Sequence, residues 1–244
     1  MIRAKLKGRL GNQLFQYAIC RIVAEQNGYE YSIPKEWQGQ RLFECSLGVD
    51  CTHEENLKTF NEGENKFNPE VFDVKDNTIL DGFWQSDKYL YGYEEKVKAW
   101  FKPKKINSIN IKDNTCVIHL RMKDRYFWEK YRLPIEYFDK AKEIVKSKVD
   151  QSIKFLIVTD NPEMAKSYFK DDEITNNNME ADFFTIYQAK HKIISASTFS
   201  WWASWLNATE DSLIIAPNKW MHYNKINSNL FFPRDIKTDK FEYI

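Results

Sequence analysis

Four short stretches of this 244-residue chain combine residue types that can hold an anion or a sugar. In TCVIHLRM, residues 115–122, strand alternation sends His119 and Arg121 to one side and Ile118 and Leu120 to the other, with Arg121 at the carboxyl end. A guanidinium there can grip two phosphate oxygens in a fixed fork through charge-assisted hydrogen bonds. Its competing use is an ion pair with a nearby carboxylate, for which Asp124 is the obvious partner in sequence. In IKFLIVTDN an apolar strand stops at Thr159-Asp160-Asn161. A carboxylate at that edge can accept two N–H groups of a guanine base, and Asp160 or Asn161 can equally cap a helix starting at Pro162.

IISASTFSWWASWLN crowds Ser195, Ser197, Thr198 and Ser200 into a strand-to-helix turn. Free backbone N–H groups and the positive end of a helix favour an anion such as a diphosphate there. Trp201 and Trp205 form an i, i+4 pair suited to the core, whereas Trp202 points elsewhere and can serve either core or ligand. GRLGNQ, residues 8–13, follows neither G-x-G-x-x-G nor the P-loop pattern. Glycines let a backbone come close to a ligand, and Arg9, Asn12 and Gln13 supply donors. The plainer reading is a tight turn with an asparagine N-cap.

Alternating strands and helices are needed to bring such stretches together. Ile2, Ala4 and Leu6 alternate with Arg3 and Lys5 as a strand, and the glycine turn follows. Leu14, Phe15, Ala18, Ile19, Ile22 and Val23 then share one helix face, ended by Asn27-Gly28, and Tyr29, Tyr31 and Ile33 begin a second strand. Residues 34–75 carry few periodic runs; ILDGFWQSDKYL reads as a strand entering a helix that continues through Trp100 and Phe101 to Pro103. The polar, basic stretch 102–114 reads as a join between two halves, 1–105 and 106–244. After it come a strand at 115–122, a helix at 134–149, a strand at 153–160, helices at 161–169 and 182–190, a strand at 192–197, a helix at 198–207 and a strand at 212–217. That alternation predicts an α/β fold with a parallel sheet, which binds ligands where the winding reverses.

Composition narrows the function classes. With 36 basic and 35 acidic residues the net charge is +1, which excludes a dedicated polycation for nucleic acid or membrane surfaces. Cys20, Cys45, Cys51 and Cys116 are scattered without a C-x-x-C pair, arguing against a zinc site or a disulfide framework. MIRAKLKG lacks an apolar signal core, and no run reaches the roughly 18–20 apolar residues of a membrane span. The expectation is a soluble, cytoplasmic protein that at most associates peripherally with a membrane.

Taken in order, GRLGNQLFQYA, FWQSDKYL, HLRMKD, TDNPE and ISASTFSWWASWL resemble glycosyltransferase family 11, the α-1,2-fucosyltransferases, over most of the chain. The resemblance implies a GT-B-like fold: two Rossmann-like domains facing a cleft, an acceptor-side domain at 1–105 and a donor domain at 106–244. It also implies inverting, metal-independent transfer of L-fucose from GDP-β-L-fucose to a glycan acceptor, such as O2 of a galactose, with no cofactor. By that resemblance, and by a weaker one to α-1,6- and protein O-fucosyltransferases, Asn12 sits beside the donor phosphate and fucose and Arg121 holds the β-phosphate. His119 and Asp160 are then near guanine, and Ser197, Thr198, Phe199 and Ser200 line the diphosphate. Arg9, Gly11 and Gln13 join the donor site, and Asp182 matches an acidic position ahead of the helix DFFTIYQAK. One departure stands out: the usual H-x-R-R-G-D-Y reads H-L-R-M-K-D-R, placing Met122 and Lys123 where the family has arginine and glycine. That departure keeps two other readings in play, a transferase using another GDP-deoxy sugar such as GDP-rhamnose and a non-catalytic nucleotide- or sugar-binding module. The sequence does not identify the base that takes the proton of the incoming hydroxyl; Asn12 is not one, since an asparagine amide does not ionise at neutral pH.

Overall fold

The computed structural model describes residues 1–50, 57–104, 111–122, 133–220 and 234–244. The chain divides into two α/β units. The first takes Met1–Lys104 together with the described tail residues 234–238; the second takes the described residues from 111 to 220 and Asp239–Ile244. The tail residues 234–238 therefore leave the expected second domain for the first unit.

In the first unit β1 (Ile2–Ala4) leads through Gly8, at φ +71°, into α1 (Leu10–Asn27), and Gly28, at φ +68°, closes the helix before β2 (Tyr31–Ser32). Left-handed backbone of this kind favours glycine at both ends. β3 (Lys58–Asn61) and β4 (Thr78–Asp81) complete an all-parallel sheet in the order β2-β1-β4-β3. The helix expected to begin within ILDGFWQSDKYL and continue through Trp100 and Phe101 to Pro103 is instead broken. A 3₁₀ turn at Asp87–Leu90 and α2 (Glu94–Trp100) flank Gly92, which sits at φ +79°. All six apolar residues of the expected α1 face are buried, and so are Tyr17, Cys20 and Ala24. The extra burial comes from a second layer: Trp37 stacks on Tyr17 at 4.4 Å, and Phe101 leans on both rings.

The second unit contains β5 (Thr115–Leu120), α3 (Ile135–Lys148), β6 (Lys154–Thr159), α4 (Pro162–Tyr168), β7 (Glu173–Ile174), α5 (Met179–Gln188), β8 (His191–Ile193), α6 (Thr198–Trp205), β9 (Ile214–Ala216) and β10 (Glu242–Tyr243). Its strands are all parallel, in the order β10-β9-β8-β5-β6-β7. On one face Cys116, Ile118, Leu120, Ile157, Ile193 and Ile215 pack against Tyr137, Phe138, Ala141 and Val145 of α3. α5 and α6 bring Phe183, Phe184, Trp201, Trp202 and Trp205 into the core, all buried, so Trp202 joins Trp201 and Trp205 there. The chain winds outward from β5 to β7, then returns to place β8 on the other side of β5. That reversal falls between β5 and β8, and the carboxyl ends of the strands there are the usual ligand position in such sheets. Strands β3, β7 and β10 escaped sequence reading because little apolar alternation marks them. Among the described residues no helix is long and apolar enough to cross a membrane.

Candidate active site

At the reversal in the second unit, the Ser195 hydroxyl donates to the His119 carbonyl at 2.7 Å and accepts from the Arg121 N–H at 3.2 Å. One side chain thus ties the end of β5 to the segment leaving β8, and it fixes the backbone that carries Arg121. The Arg121 Nε lies 3.3 Å from the Asp160 carboxylate, whose other oxygen accepts from the Met122 N–H at 2.6 Å. An ion pair therefore exists, but with Asp160; Asp124, the partner sequence proximity suggested, lies outside the described residues, as does Lys123. Asp160 does not cap α4. Asn161 does, accepting from Met164 N–H at 3.2 Å. Met122 is buried in the hydrophobic core, so its side chain serves packing while its backbone holds Asp160.

Two further groups flank this pair, His119 beside Arg121 and Asp182 beside Asp160. His119 is only 4% exposed; burial, reinforced by the Arg121 charge, pushes its pKa down to about 3 and keeps the ring neutral. Its Nδ1 is buried without a hydrogen-bond partner, and the ring lies 5.7 Å from that of Phe199. Asp182 falls inside α5 rather than ahead of it, because Asn178 is the N-cap, accepting from Ala181 N–H at 2.9 Å. Burial first, then the neighbouring Asp160 charge, pushes Asp182 up to about 7, against opposing hydrogen bonds from Asn177 and Thr175. Its Oδ1 is likewise buried and unbonded. Buried polar atoms without partners are uncommon in folded proteins, and those beside the reversal of a parallel sheet suit a ligand that supplies the missing bond.

α6 begins where expected. Ser197 occupies the N-cap position without making a side-chain cap bond, and Ser197 and Thr198 are both partly exposed. Ser200 is different: it is fully buried and its hydroxyl donates to the Ser197 carbonyl at 3.2 Å, so it builds the turn instead of lining a diphosphate. Phe199 is partly buried, with its ring 5.3 Å from that of Phe183.

In the first unit the GRLGNQ stretch resolves into a two-residue bend, Gly8 and Arg9, and the start of α1 at Leu10. Arg9 is exposed at the N-cap position and makes no side-chain cap bond, while its carbonyl accepts from Asn12 and Gln13 N–H; the asparagine N-cap is thereby corrected. Gly11 is buried in the first turn of α1. Gln13 is buried too, donating to the Gly8 carbonyl at 3.1 Å and accepting from Gln38 N–H at 2.9 Å, so it braces the loop while lining a cavity with Arg3, Leu6 and Pro34. From Leu10 to Cys20 only Asn12 is not fully buried. Its Oδ1 accepts from Gln85 Nε2 at 2.7 Å. Sequence reading missed Gln16, Gln85 and Glu62. Gln16 brackets Lys7 with two hydrogen bonds and reaches the Gly82 carbonyl, and Glu62 accepts from both Phe83 and Trp84 N–H at 2.8 Å. A glutamine between Phe15 and Tyr17, within the buried stretch of α1, was the available signal for Gln16.

Chemically, the second unit offers a guanidinium, a helix N-terminus and buried acceptors around one reversal of the sheet, a set suited to a nucleoside diphosphate. A family model described as Glycosyl transferase family 11 matches residues 1–233. The chain is 25% identical to an alpha-1,2-colitosyltransferase of Escherichia coli, covering 93% of this chain and 95% of that protein. Among solved structures it is similar to NodZ α-1,6-fucosyltransferase soaked with GDP-fucose, the enzyme of Bradyrhizobium, with a TM-score of 0.51 and 16% identity over 85% of this chain and 92% of that one. It is also similar to POFUT1 in complex with GDP-fucose, with a TM-score of 0.53 and 11% identity over 84% and 92% of the two chains. These neighbours share the GT-B-type α/β fold.

Proposed function

This chain belongs to glycosyl transferase family 11, and from that premise we propose that it moves L-fucose from GDP-β-L-fucose to a hydroxyl of a glycan acceptor, in α-1,2 linkage with inversion. The observation that carries the reading is the reversal of the winding between β5 and β8, at whose carboxyl ends Arg121, tethered through Ser195 and Asp160, stands with the N-terminus of α6. Cleavage of the bond from C1 of the sugar to the diphosphate builds positive charge on the ring, as in other glycosyl transfers, and negative charge on the departing GDP. Arg121 and the first N–H groups of α6 neutralise that negative charge, the kind of stabilisation whose loss costs on the order of a hundredfold or more in rate. Asp182 and Asp160 provide acceptors for the N–H edge of guanine. Asn12 orients the transferred sugar. The departing phosphate takes the proton of the incoming hydroxyl, and no metal is required because the protein's own cation and helix end supply the positive charge.

A second donor is favoured by one finding, the full-length likeness to a colitosyltransferase; a colitosyl group is therefore the first alternative to fucose. Both readings share GDP as leaving group. The test is a thermal-shift panel followed by a transfer assay. GDP at about 100 times its dissociation constant is expected to add about 2.7 kcal/mol of stability while UDP and ADP add none. Release of GDP from GDP-L-fucose, stimulated by a galactose-terminated acceptor, then supports the fucosyl reading; stimulation only with the GDP-activated form of colitose replaces the donor. No shift with GDP overturns both.

A further inference from the structure

We propose that Tyr137 is a positioning residue for the donor site: its hydroxyl supplies a hydrogen bond that Pro217 withholds from the Ile194 carbonyl, and so fixes the segment that ties Arg121 to the start of α6. This rests on the reading of Arg121 as the group that neutralises the departing GDP, and deepens it. Parallel strands bond at even spacing, each residue giving its N–H to one neighbour and its carbonyl to another two residues further on. Between β8 and β9 the N–H groups of Lys192 and Ile194 reach the carbonyls of Leu213 and Ile215, both at 2.9 Å. The same register, Lys192 beside Ile214 and Ile193 beside Ile215, assigns the Ile194 carbonyl to the nitrogen of residue 217. That residue is a proline, with no hydrogen to give. The Tyr137 hydroxyl, from the first turn of α3, donates to the Ile194 carbonyl at 2.8 Å in its place. The Ile215 carbonyl lies farther off, at 3.3 Å, and already accepts from Ile194 N–H; a phenol has one hydrogen, so Ile194 is its acceptor.

Ile194 is where β8 gives way to the functional end of the unit. The next residue, Ser195, bonds His119 and Arg121 through its hydroxyl, and its own carbonyl accepts from Ser197 N–H at 2.7 Å. The Ser197 carbonyl then accepts from Trp201 N–H at 2.9 Å as α6 begins at Thr198. Only Ser195, Ala196 and Ser197 separate the carbonyl that Tyr137 holds from the first residue of α6, so a displacement at Ile194 is passed on to the Arg121 backbone and to the helix end together. Tyr137 is itself firmly placed. It is buried in the core beneath the sheet, with its ring edge-on to that of Phe138 at 4.9 Å. Burial pushes its phenol well above the usual tyrosine range, so the hydroxyl keeps the proton it donates.

The test is Tyr137→Phe, which removes one oxygen, made in the native, Ser195→Ala and Pro217→Ala backgrounds and read as kcat, donor KM and Tm. In the native background it is expected to lower kcat about tenfold or more with donor KM changed less, because small misplacements passed to a reacting centre are costly. In Ser195→Ala, where the tie to Arg121 is already gone, the same change is expected to slow turnover about twofold or less. Pro217→Ala restores an N–H at the ladder position, so the Tyr137→Phe, Pro217→Ala double variant is expected to turn over about threefold faster, or more, than Tyr137→Phe alone. Native kcat in a folded Tyr137→Phe protein of lower Tm makes the hydroxyl a purely structural group and overturns the assignment. Equal slowing in the native and Ser195→Ala backgrounds overturns it too, as does a double variant no faster than Tyr137→Phe. Where Tyr137→Phe alone does not fold, a double variant that folds with near-native turnover supports the assignment and one that does not fold overturns it. Failure of the underlying reading looks different: a native protein inert toward every GDP-sugar, or a folded Arg121→Ala protein as fast as the native one, removes the role of Arg121 and this assignment with it.

Discussion

Arg121 illustrates how one residue answers two readings at once. Its guanidinium is paired, yet the partner is Asp160, which also holds the Met122 N–H, so the pair positions the arginine at the strand end instead of burying it. Arg121→Ala is expected to abolish turnover while the folded protein persists with little change in Tm, and Arg121→Lys to recover little because an ammonium cannot fork two oxygens. Full activity in a folded Arg121→Ala protein removes the central assignment. Asp182 makes a second prediction, about pH. Its carboxyl is raised from 3.8 to about 7, so between those values the folded chain holds a proton that the unfolded chain has released. Stability from this group is complete below about pH 4 and is lost as pH rises through 7. Asp182→Asn is expected to melt with the native protein near pH 4 and several degrees above it at pH 8; a gap that does not change with pH refutes the shift.

At the scale of elements, the parallel strands are joined at their functional ends by side chains and not by the sheet ladder alone. Ser195 bonds both His119 and Arg121. Ser195→Ala leaves a buried carbonyl and a partly buried N–H without their partner, which at about 1–3 kcal/mol per group predicts a fall in Tm of about 4 °C or more. An unchanged melting curve rules out that tie. Sequence periodicity identified α1 and β5 because their apolar residues recur at helix and strand spacing. It misjudged the stretch from 83 to 101, where a positive φ at Trp84 and at Gly92 breaks the backbone. Glycine at 92 is a recognisable signal. Tryptophan at 84 is not, since the Glu62 hydrogen bonds that support its conformation come from 22 residues away in the chain.

At the scale of the whole molecule, the last described residues serve both units in turn. Arg234 pairs with Glu64, Asp235 accepts from Phe67 N–H and pairs with Lys88, and Ile236 is buried with the first unit. Phe241 then packs against Trp201, and Glu242–Tyr243 adds β10 to the second sheet. Deletion of 234–244 removes all of these together, and is expected to lower Tm by about 10 °C or more as measured by calorimetry. An unaltered Tm shows the tail to be dispensable. Nothing in the sequence marked this segment, because its contacts are distant in the chain and its apolar residues too few to form a periodic run.

By itself the sequence determined the α/β class, the alternation of the second half, and the residue types at the reversal: an arginine after β5, an aspartate after β6, hydroxyls ahead of α6. These are local properties, set by side-chain period and by the chemistry of strand and helix ends. Only the tertiary structure decided who holds whom: Asp160 on Arg121, Ser195 across β5 and β8, Gln85 on Asn12, and Gln13, Met122 and Ser200 turned inward. The physical reason is that a polar side chain bonds to whatever the fold brings within about 3 Å, and in parallel sheets that neighbour comes from a strand tens of residues away.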